Sequence, residues 1–197
     1  MIEKQLPREV EPIKNIKDIK RIKQYLLGKK NKRDYLLFVL GINVGLRIGD
    51  LLSLKISDVR EPDTATIKNA VYIREQKTGK FREFELNKAA REAIMFYLES
   101  LPEYKKDDYL FSSRKGRGPI TTRAAHKIIK TTLRDLDIKG NYGTHSLRKT
   151  FGYHRYINNV KLETLQRIFN HNSPATTLRY IGITKEVIID AYNSVNL

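Results

Sequence analysis

The chain has 197 residues, 40% of them apolar, which is enough for one domain with a substantial core. Lysine and arginine number 38 against 22 acidic residues, so the net charge is +16 and favours a polyanionic partner, nucleic acid first and an anionic membrane surface second. Because the chain has no cysteine, disulfides, thiolate metal sites and cysteine nucleophiles are excluded.

Insertion into a membrane is not expected. The longest apolar stretch, residues 36–46, is interrupted by glycine and asparagine, and it is far shorter than the roughly 20 residues that a bilayer span needs. Residues 1–4 lack the apolar segment of a signal peptide. We therefore expect a cytoplasmic protein that makes no membrane contact.

Apolar residues recur at helical spacing along most of the chain. Residues 1–14 hold prolines and many charges and predict an extended lead-in to a single domain over residues 15–197. Residues 34–44 are apolar on almost every side, which predicts a buried helix that Gly45 ends. Further helices are predicted over residues 16–26 with a stop at Gly28, 47–54, 87–99, 122–136, 145–157, 161–169, 174–180 and 185–194.

Residues 55–86 have a different pattern. Within them, residues 71–73 and 81–86 predict two strands, joined across residues 77–80 in a hairpin. Residues 114–119, between two helical segments, form a basic loop. The chain is therefore predicted to be mainly α with a small antiparallel β-sheet, an α+β fold.

The chain contains the residue types that together allow a side chain to cleave a phosphodiester. The reaction needs a nucleophile, cations on the non-bridging oxygens and an acid for the leaving oxygen. Tyr180 is the candidate nucleophile, and its phenol, with an ordinary pKa of about 10, needs cations that stabilise the phenolate. Arg47 and Arg148 are candidate phosphate clamps, because a guanidinium matches phosphate bidentately and stays charged.

Three further side chains could support these arginines and the tyrosine. Asp50 follows Arg47 by three residues and could hold its guanidinium in place. His145 precedes Arg148 by three residues, so on a helix the two would share a face. Both His145 and His171 could pass protons near neutral pH or donate to a phosphate oxygen.

Lys77, at the predicted hairpin tip, could give a proton to the leaving oxygen, and Lys80 is a nearby competitor for this role. Each candidate also has a structural interpretation: a tyrosine ring in the core, an arginine in a surface ion pair, a lysine in an ordinary turn. A zinc site is not expected, because the histidine spacings fit no ligand pattern.

Four segments together resemble the catalytic domain of the tyrosine recombinase (phage integrase) family, from about residue 10 to the end. They are GLRIGD at 45–50, KTGK at 77–80, HSLRKT at 145–150, and HNSP with a later threonine and tyrosine at 171–180. One segment alone would be weak, whereas four in this order are specific. The sequence departs from the family at Asp50, where glutamate is commoner, at Lys149, where histidine is commoner, and at residues 169–170, where Leu-Gly is commoner.

The resemblance implies the tyrosine recombinase catalytic-domain fold, of the DNA breaking–rejoining type. Tyr180 would attack the scissile phosphate, form a 3′-phosphotyrosyl bond and leave a free 5′-hydroxyl, while Arg47 and Arg148 would hold the non-bridging oxygens. The phosphotyrosyl bond conserves the energy of the broken bond, so neither ATP, a metal nor another cofactor is expected.

The resemblance also implies roles for the remaining candidates. Lys77 would act as the general acid, and His145 would handle protons. His171 would support the phosphate, and Asp50 would brace the site. All these roles rest on the match of each position to the family's motifs.

Double-stranded DNA is the partner that the resemblance implies, with a tetramer acting on paired DNA sites and an accessory DNA-bending factor as a further partner. Family members pack their C-terminal helix onto a neighbouring subunit. The apolar cluster at residues 187–192 suits such docking, or packing on its own domain. Family members usually carry a helical core-binding domain before the catalytic domain, and we expect that domain to be absent here.

We therefore expect a site-specific recombinase that integrates, excises or inverts a mobile element or prophage. The alternatives are a DNA-binding module without catalysis and a type IB topoisomerase-like enzyme that only relaxes supercoils; a metal-dependent nuclease is more distant. Contacts from basic side chains to the DNA backbone predict salt-dependent binding. The candidate DNA-binding residues are Arg114, Lys115, Arg117, Arg123, Lys127 and Lys149.

Overall fold

The computed structural model of the protein describes residues 9–183 except 30, 63, 65, 115 and 117, and also residues 193 and 194. These residues form a mainly helical fold with one antiparallel sheet, as predicted. No helix among them has the length and apolar character required to cross a bilayer. The elements are α1 (Ile16–Gly28), α2 (Lys32–Val44), α3 (Ile48–Leu52), α4 (Ile56–Val59), β1 (Ala70–Arg74), β2 (Phe81–Glu85), α5 (Lys88–Leu98), α6 (Thr122–Asp135), α7 (Thr144–Ile157), α8 (Leu162–Phe169) and α9 (Pro174–Tyr180).

Helix α2 forms the centre of the hydrophobic core. Asn31 caps its start by accepting a hydrogen bond from the Asp34 amide. Residues 36–42 are all buried, because α1, α5, α6 and α7 pack around the helix. Gly45 ends it in the left-handed conformation, with φ of 62°, and a Cβ there would meet the Phe151 ring at 2.7 Å. The chain therefore leaves α2 sharply and close to α7.

Strands β1 and β2 confirm the predicted hairpin. They pair antiparallel, with Val71 opposite Phe84, and both side chains are buried. The alternate residues on the other face, including Tyr72 and Phe81, are exposed. One face of the hairpin thus packs on the domain, and residues 75–80 form the turn at its tip.

The predicted helix over residues 47–54 is shorter in the structure, and a second short helix follows it. Helix α3 ends at Leu52, and α4 begins at Ile56. Asp58 accounts for the second start, since its carboxylate accepts a hydrogen bond from the Lys55 amide at 2.7 Å. No helix is predicted over residues 56–59, because four residues are too few to show a helical period.

The last three described helices share a small core of their own. It consists of four buried residues on α7, α8 and the turn after α9, which are Phe151, Leu165, Phe169 and Ile181. Tyr180 packs against this cluster, so the cluster fixes the end of α9 relative to α7. The predicted helix over 185–194 lies outside the described residues except for its last two.

Residues 9–14, the described part of the predicted lead-in, run without helix or strand along α7. The buried Ile13 donates from its amide to Thr150 Oγ1 at 2.8 Å. Glu9 forms an ion pair with Lys149 at 3.1 Å. Glu9 and Ile13 therefore hold this segment against α7, where the Ile13 carbonyl also lies 2.9 Å from His154 Nε2.

Candidate active site

Arg148 is the buried cation at the centre of the candidate site. It lies on α7, is 4% exposed, and donates from Nη1 to the Gly45 carbonyl and from Nη2 to the Phe169 carbonyl, the latter at 3.2 Å. Its guanidinium lies 4.7 Å from the centre of the Phe169 ring. Burial lowers the pKa of Arg148 to about 10, so it stays charged at neutral pH. The side chain joins the end of α2, α7 and the end of α8 at one point.

Arg47 stands at the start of α3, two residues after the left-handed turn at Gly45. Its Nη1 lies 2.9 Å from Glu75 Oε2 in an ion pair. The contact lacks the direction of a hydrogen bond, so Nη1 is a buried donor with no hydrogen-bond acceptor among the described residues. Sequence reasoning suggested that Asp50 would hold this guanidinium, and the structure gives that position to Glu75.

Asp50 fastens the hairpin to α3 instead. It is 2% exposed, and its Oδ1 accepts a hydrogen bond from the Gln76 amide at 2.8 Å. Gln76 directly precedes Lys77, which is exposed at the hairpin tip. The pKa of His145 is lowered by burial first and, among smaller causes, by the positive charge of Lys77.

Tyr180 ends α9 with its ring inside a cluster of aromatic and cationic groups. The ring centre lies 5.0 Å from that of His171 and 5.2 Å from that of Phe169. Burial raises the pKa of the Tyr180 phenol above its ordinary value. The charge of Arg148, a hydrogen bond from it, and the charge of Arg47 act in the opposite direction. The phenol is thus protonated at neutral pH, and the groups that would stabilise its phenolate lie beside it.

Both candidate histidines have a pKa below the ordinary value. Burial is the largest cause in each, and the positive charge of Arg148 is the next. His145 keeps substantial exposure to solvent, but the atoms beside it still desolvate its ring. His171 is partly buried, and its Nδ1 lies 3.1 Å from Thr177 Oγ1. The two imidazoles are therefore neutral at neutral pH.

Lys149 occupies a different place from the one expected of a DNA-contacting residue. Its side chain is 7% exposed and pairs with Glu9, and its Nζ lies 5.1 Å from the centre of the Tyr180 ring. The reason is its position on α7 next to Arg148, on the buried side of the helix. Lys149 therefore belongs to the surroundings of the tyrosine and not to the solvent-facing surface.

Three of the other predicted DNA contacts lie on the surface. Arg114 is exposed in the basic loop, and Arg123 and Lys127 are exposed on the first two turns of α6. Lys115 and Arg117 lie outside the described residues. In the described ranges, no group of three or more His, Asp or Glu side chains is placed to hold a metal ion.

Sequence reasoning missed Glu75, although its signal was present. The alternation of β1 continues past the strand and puts Glu75 on the same face as Val71 and Ile73. A buried acid two residues before a predicted active-site lysine was therefore detectable. Arg155, which donates to the Asn43 carbonyl at 3.0 Å, was also missed, because a contact across 112 residues leaves no local pattern.

A family model described as the phage integrase family matches residues 13–186. A probable integrase/recombinase, YoeC of Bacillus subtilis (strain 168), is 40% identical over 183 residues, which cover 93% of this chain and 95% of that protein. A tyrosine recombinase XerC of Caldanaerobacter subterraneus subsp. tengcongensis is 28% identical over 182 residues, covering 90% of this chain and 49% of that protein. The chain spans nearly all of the first relative and about half of the second.

Solved structures give the same fold. The crystal structure of XerA recombinase superposes with a TM-score of 0.75 at 25% identity, covering 95% of this chain and 66% of that one. XerH site-specific recombinase, bound to a palindromic difH substrate in a post-cleavage complex, has a TM-score of 0.71 at 20% identity. That match covers 94% of this chain and 53% of the XerH chain.

Proposed function

The chain belongs to the phage integrase family and is a tyrosine site-specific recombinase, and from this premise we propose that Tyr180 cleaves DNA through a covalent intermediate. The observation that carries the proposal is the convergence of Tyr180, His171 and the guanidinium of Arg148 on one partly buried point. Beside them, the buried Nη1 of Arg47 has no hydrogen-bond acceptor among the described residues. A non-bridging phosphate oxygen would supply that acceptor.

The proposed cleavage step transfers a phosphate from DNA to the tyrosine. The phenol oxygen of Tyr180 attacks phosphorus, the bond from phosphorus to the 5′-oxygen breaks, and a 3′-phosphotyrosyl bond forms. Arg47 and Arg148 stabilise the charge on the non-bridging oxygens, which grows in the transition state. Lys77 gives its proton to the leaving oxygen, so that a 5′-hydroxyl remains.

The proton of the phenol needs an acceptor, and a neutral imidazole can serve. We assign this role to His145, because burial, and after it the surrounding cations, lower its pKa and keep its lone pair available. His171, against the Tyr180 ring, supports the phosphate. Because burial keeps the phenol protonated in the free protein, phenolate forms only as the attack proceeds.

Strand exchange completes the proposed reaction. The 5′-hydroxyl of a partner duplex attacks the phosphotyrosyl bond, releases Tyr180 and restores a phosphodiester. One phosphoester replaces another at each step, so the bond energy is conserved. The proposed biological outcome is the integration, excision or inversion of a mobile element or prophage.

Double-stranded DNA is the proposed partner. Arg114, Arg123 and Lys127 offer exposed charge for the duplex. By sequence alone, Lys115 and Arg117 remain proposed contacts. We propose a tetramer on paired sites in the cytoplasm, with the apolar residues at 187–192 in the subunit contacts and an accessory DNA-bending factor as a further partner. Oligomer formation on DNA would be visible as a ladder of complexes in a gel shift.

Covalent capture tests the proposed chemistry. The protein is incubated with fragments of host DNA, the reaction is stopped with detergent, and the DNA that remains attached is sequenced. Tyr180→Phe should abolish the adduct because the attacking oxygen is removed. Tyr153→Phe, which removes a hydroxyl from a partly buried tyrosine of α7, should retain it.

Adducts at one locus that need Tyr180 would support a site-specific recombinase. Scattered adducts that need Tyr180 would instead indicate a topoisomerase-like enzyme. DNA binding with no adduct would contradict the covalent mechanism and favour a binding module.

A further inference from the structure

Glu75 is a buried carboxylate that the proposed cleavage reaction leaves without a role. It follows the last residue of β1 and is 5% exposed. Burying an ionised carboxylate is costly unless it is paired. The groups that contact Glu75 therefore indicate the role of its negative charge.

The carboxylate of Glu75 is shared among three structural elements. Its Oε2 accepts from Thr78 Oγ1 at 2.8 Å within the hairpin turn and lies 2.9 Å from Arg47 Nη1 at the start of α3. Its Oε1 accepts from Arg82 Nη1 on β2 at 3.2 Å. Thr78 is adjacent to Lys77, so one carboxylate contacts both the proposed phosphate clamp and the turn that carries the proposed general acid.

The main chain of Glu75 also closes the turn. Its amide donates to the Lys80 carbonyl at 2.9 Å, and its carbonyl accepts from the Gly79 amide at 2.8 Å. Gly79 has φ of 68°, a conformation that glycine adopts readily. The turn from 75 to 80 is thus a closed unit whose orientation depends on where the Glu75 side chain is held.

The charge of Glu75 is maintained by its partners. Burial alone would raise the pKa of Glu75, but the hydrogen bonds from Thr78 and Arg82 and the charge of Arg47 outweigh burial and hold the pKa below its ordinary value. The carboxylate is therefore ionised at neutral pH. A neutral side chain of the same shape would retain the packing and lose the pairing with both arginines.

We propose that Glu75 is a positioning residue that holds Arg47 and the Lys77 turn in one fixed relation, so that clamp and acid meet the same phosphodiester. The inference rests on the proposed function. Acting through other groups, Glu75 contributes to the rate of cleavage and not to the affinity for DNA. Its negative charge opposes the binding of DNA.

Glu75→Gln tests this separation of rate from affinity, with Glu85→Gln as the matched control. Glu85 is exposed on the same hairpin, so both variants change the net charge equally. On the duplex recovered by covalent capture, we expect Glu75→Gln to lower the cleavage rate about 10- to 100-fold, as misplaced reacting groups do. The Kd for the duplex should stay the same or decrease, and Glu85→Gln should keep the wild-type rate.

A second measurement does not depend on activity. The guanidinium N–H hydrogens of Arg47, observed by ¹⁵N NMR, should exchange slowly with water in the DNA-free wild type and in Glu85→Gln. In Glu75→Gln they should exchange rapidly. If the wild type forms no adduct, the proposed function fails while this signal still decides whether Glu75 holds Arg47. Equal rates and equal Arg47 signals in the two variants would overturn the inference.

Thermal unfolding separates positioning from folding. If Glu75→Gln does not fold, Glu75→Asp, which keeps the charge on a shorter side chain, replaces it. The inference stands if the rate falls at an unchanged Tm. It is wrong if the cleavage rate, the affinity for DNA and Tm fall together in both Glu75→Gln and Glu75→Asp, because Glu75 would then be a structural residue only.

Discussion

At the residue scale, the contact between His171 and Thr177 sets the direction of one proposed active-site imidazole. Thr177 Oγ1 lies 3.3 Å from the Ser173 carbonyl, to which its hydroxyl donates in the pattern usual for threonine in a helix. We infer that the oxygen then accepts the Nδ1 hydrogen of His171 at 3.1 Å. The other ring nitrogen, Nε2, is left to face the substrate.

Thr177→Val should lower the rate of cleavage about tenfold, the effect of roughly 1.4 kcal/mol in the transition state. Thr177 is fully buried, and valine has nearly the same shape, so the packing is retained while His171 loses its hydrogen-bond partner. Thr177→Ser should retain most of the activity, because it restores the hydroxyl. Single-turnover cleavage measures the effect, with Thr176→Val as a control; an equal loss in Thr177→Ser would contradict the role of the hydroxyl.

The lowered pKa values of His145 and His171 predict a dependence of stability on pH. Both values are below the ordinary value of 6.5 in the folded protein, first through burial and then through Arg148. As pH falls below about 6.5, the unfolded chain binds protons that the folded site resists, so the free energy of unfolding falls. Urea unfolding at pH 7.5 and 5.5 measures the change.

The double variant His145→Gln/His171→Gln should show a smaller difference between the two pH values than the wild type. His126→Gln, outside the site, serves as the control and should behave as the wild type does. If the double variant retained the full pH difference, the two histidines would not be its source.

At the element scale, the hairpin turn carries two lysines that the sequence could not tell apart. Lys77 lies in the turn that Asp50 and Glu75 fasten, and its charge acts on His145. Lys80 lies at the other end, where its carbonyl closes the turn. We therefore propose Lys77 as the proton donor.

Lys77→Ala should lower the rate of cleavage about 100- to 10,000-fold, the usual contribution of a general acid. Replacing the leaving 5′-oxygen with sulfur should restore most of that rate. A thiol, with an ordinary pKa of about 8.5, leaves as a thiolate without a proton. Lys80→Ala, tested on the oxygen and the sulfur substrate, is the control. If sulfur restored the rate in Lys80→Ala and not in Lys77→Ala, Lys80 would be the general acid instead of Lys77.

The elements differ in how far the sequence predicted them. Helix α2 is a long apolar run that Gly45 ends, and the residues around Val71 have a strand pattern, so both were predicted within a few residues. Helix α4 was missed because its start depends on one capping contact of Asp58. The pairing of Lys149, a predicted DNA contact, with Glu9 was not predicted, because the sequence does not show which side of α7 the lead-in covers.

At the scale of the whole molecule, the charge of +16 predicts binding to any DNA, with affinity that falls steeply as salt rises. Selectivity must come from a few contacts to bases. Arg123, exposed on the first turn of α6, is our candidate for such a contact.

Arg123→Ala should weaken binding to the captured target more than to random duplex, by about 1–3 kcal/mol. Arg134→Ala, at the other end of α6 and also exposed, should affect the two duplexes equally. Competition binding at several salt concentrations measures both. Equal weakening by Arg123→Ala on target and random DNA would identify a phosphate contact instead.

The sequence predicted the family and the site residues of the chain, but not the contacts that these residues make. The order of the motifs indicated the family, and the family model and relatives confirm it. The partners of the site residues were not predicted, because Arg47–Glu75, Arg148–Gly45 and Lys149–Glu9 join segments far apart in the chain. Such pairs depend on tertiary packing, of which one sequence carries no record.

The way in which Arg148 is held bears on how such a site tolerates sequence drift. Two of its acceptors are main-chain carbonyls, at Gly45 and Phe169. A carbonyl is present whatever the side chain, so leucine at position 169 would keep this acceptor and lose the contact of the ring with the guanidinium. Asn170, with φ of 54°, adopts the left-handed turn that glycine would otherwise provide. The position of the guanidinium is therefore retained as long as the backbone keeps its path, even where neighbouring residues of the motif differ.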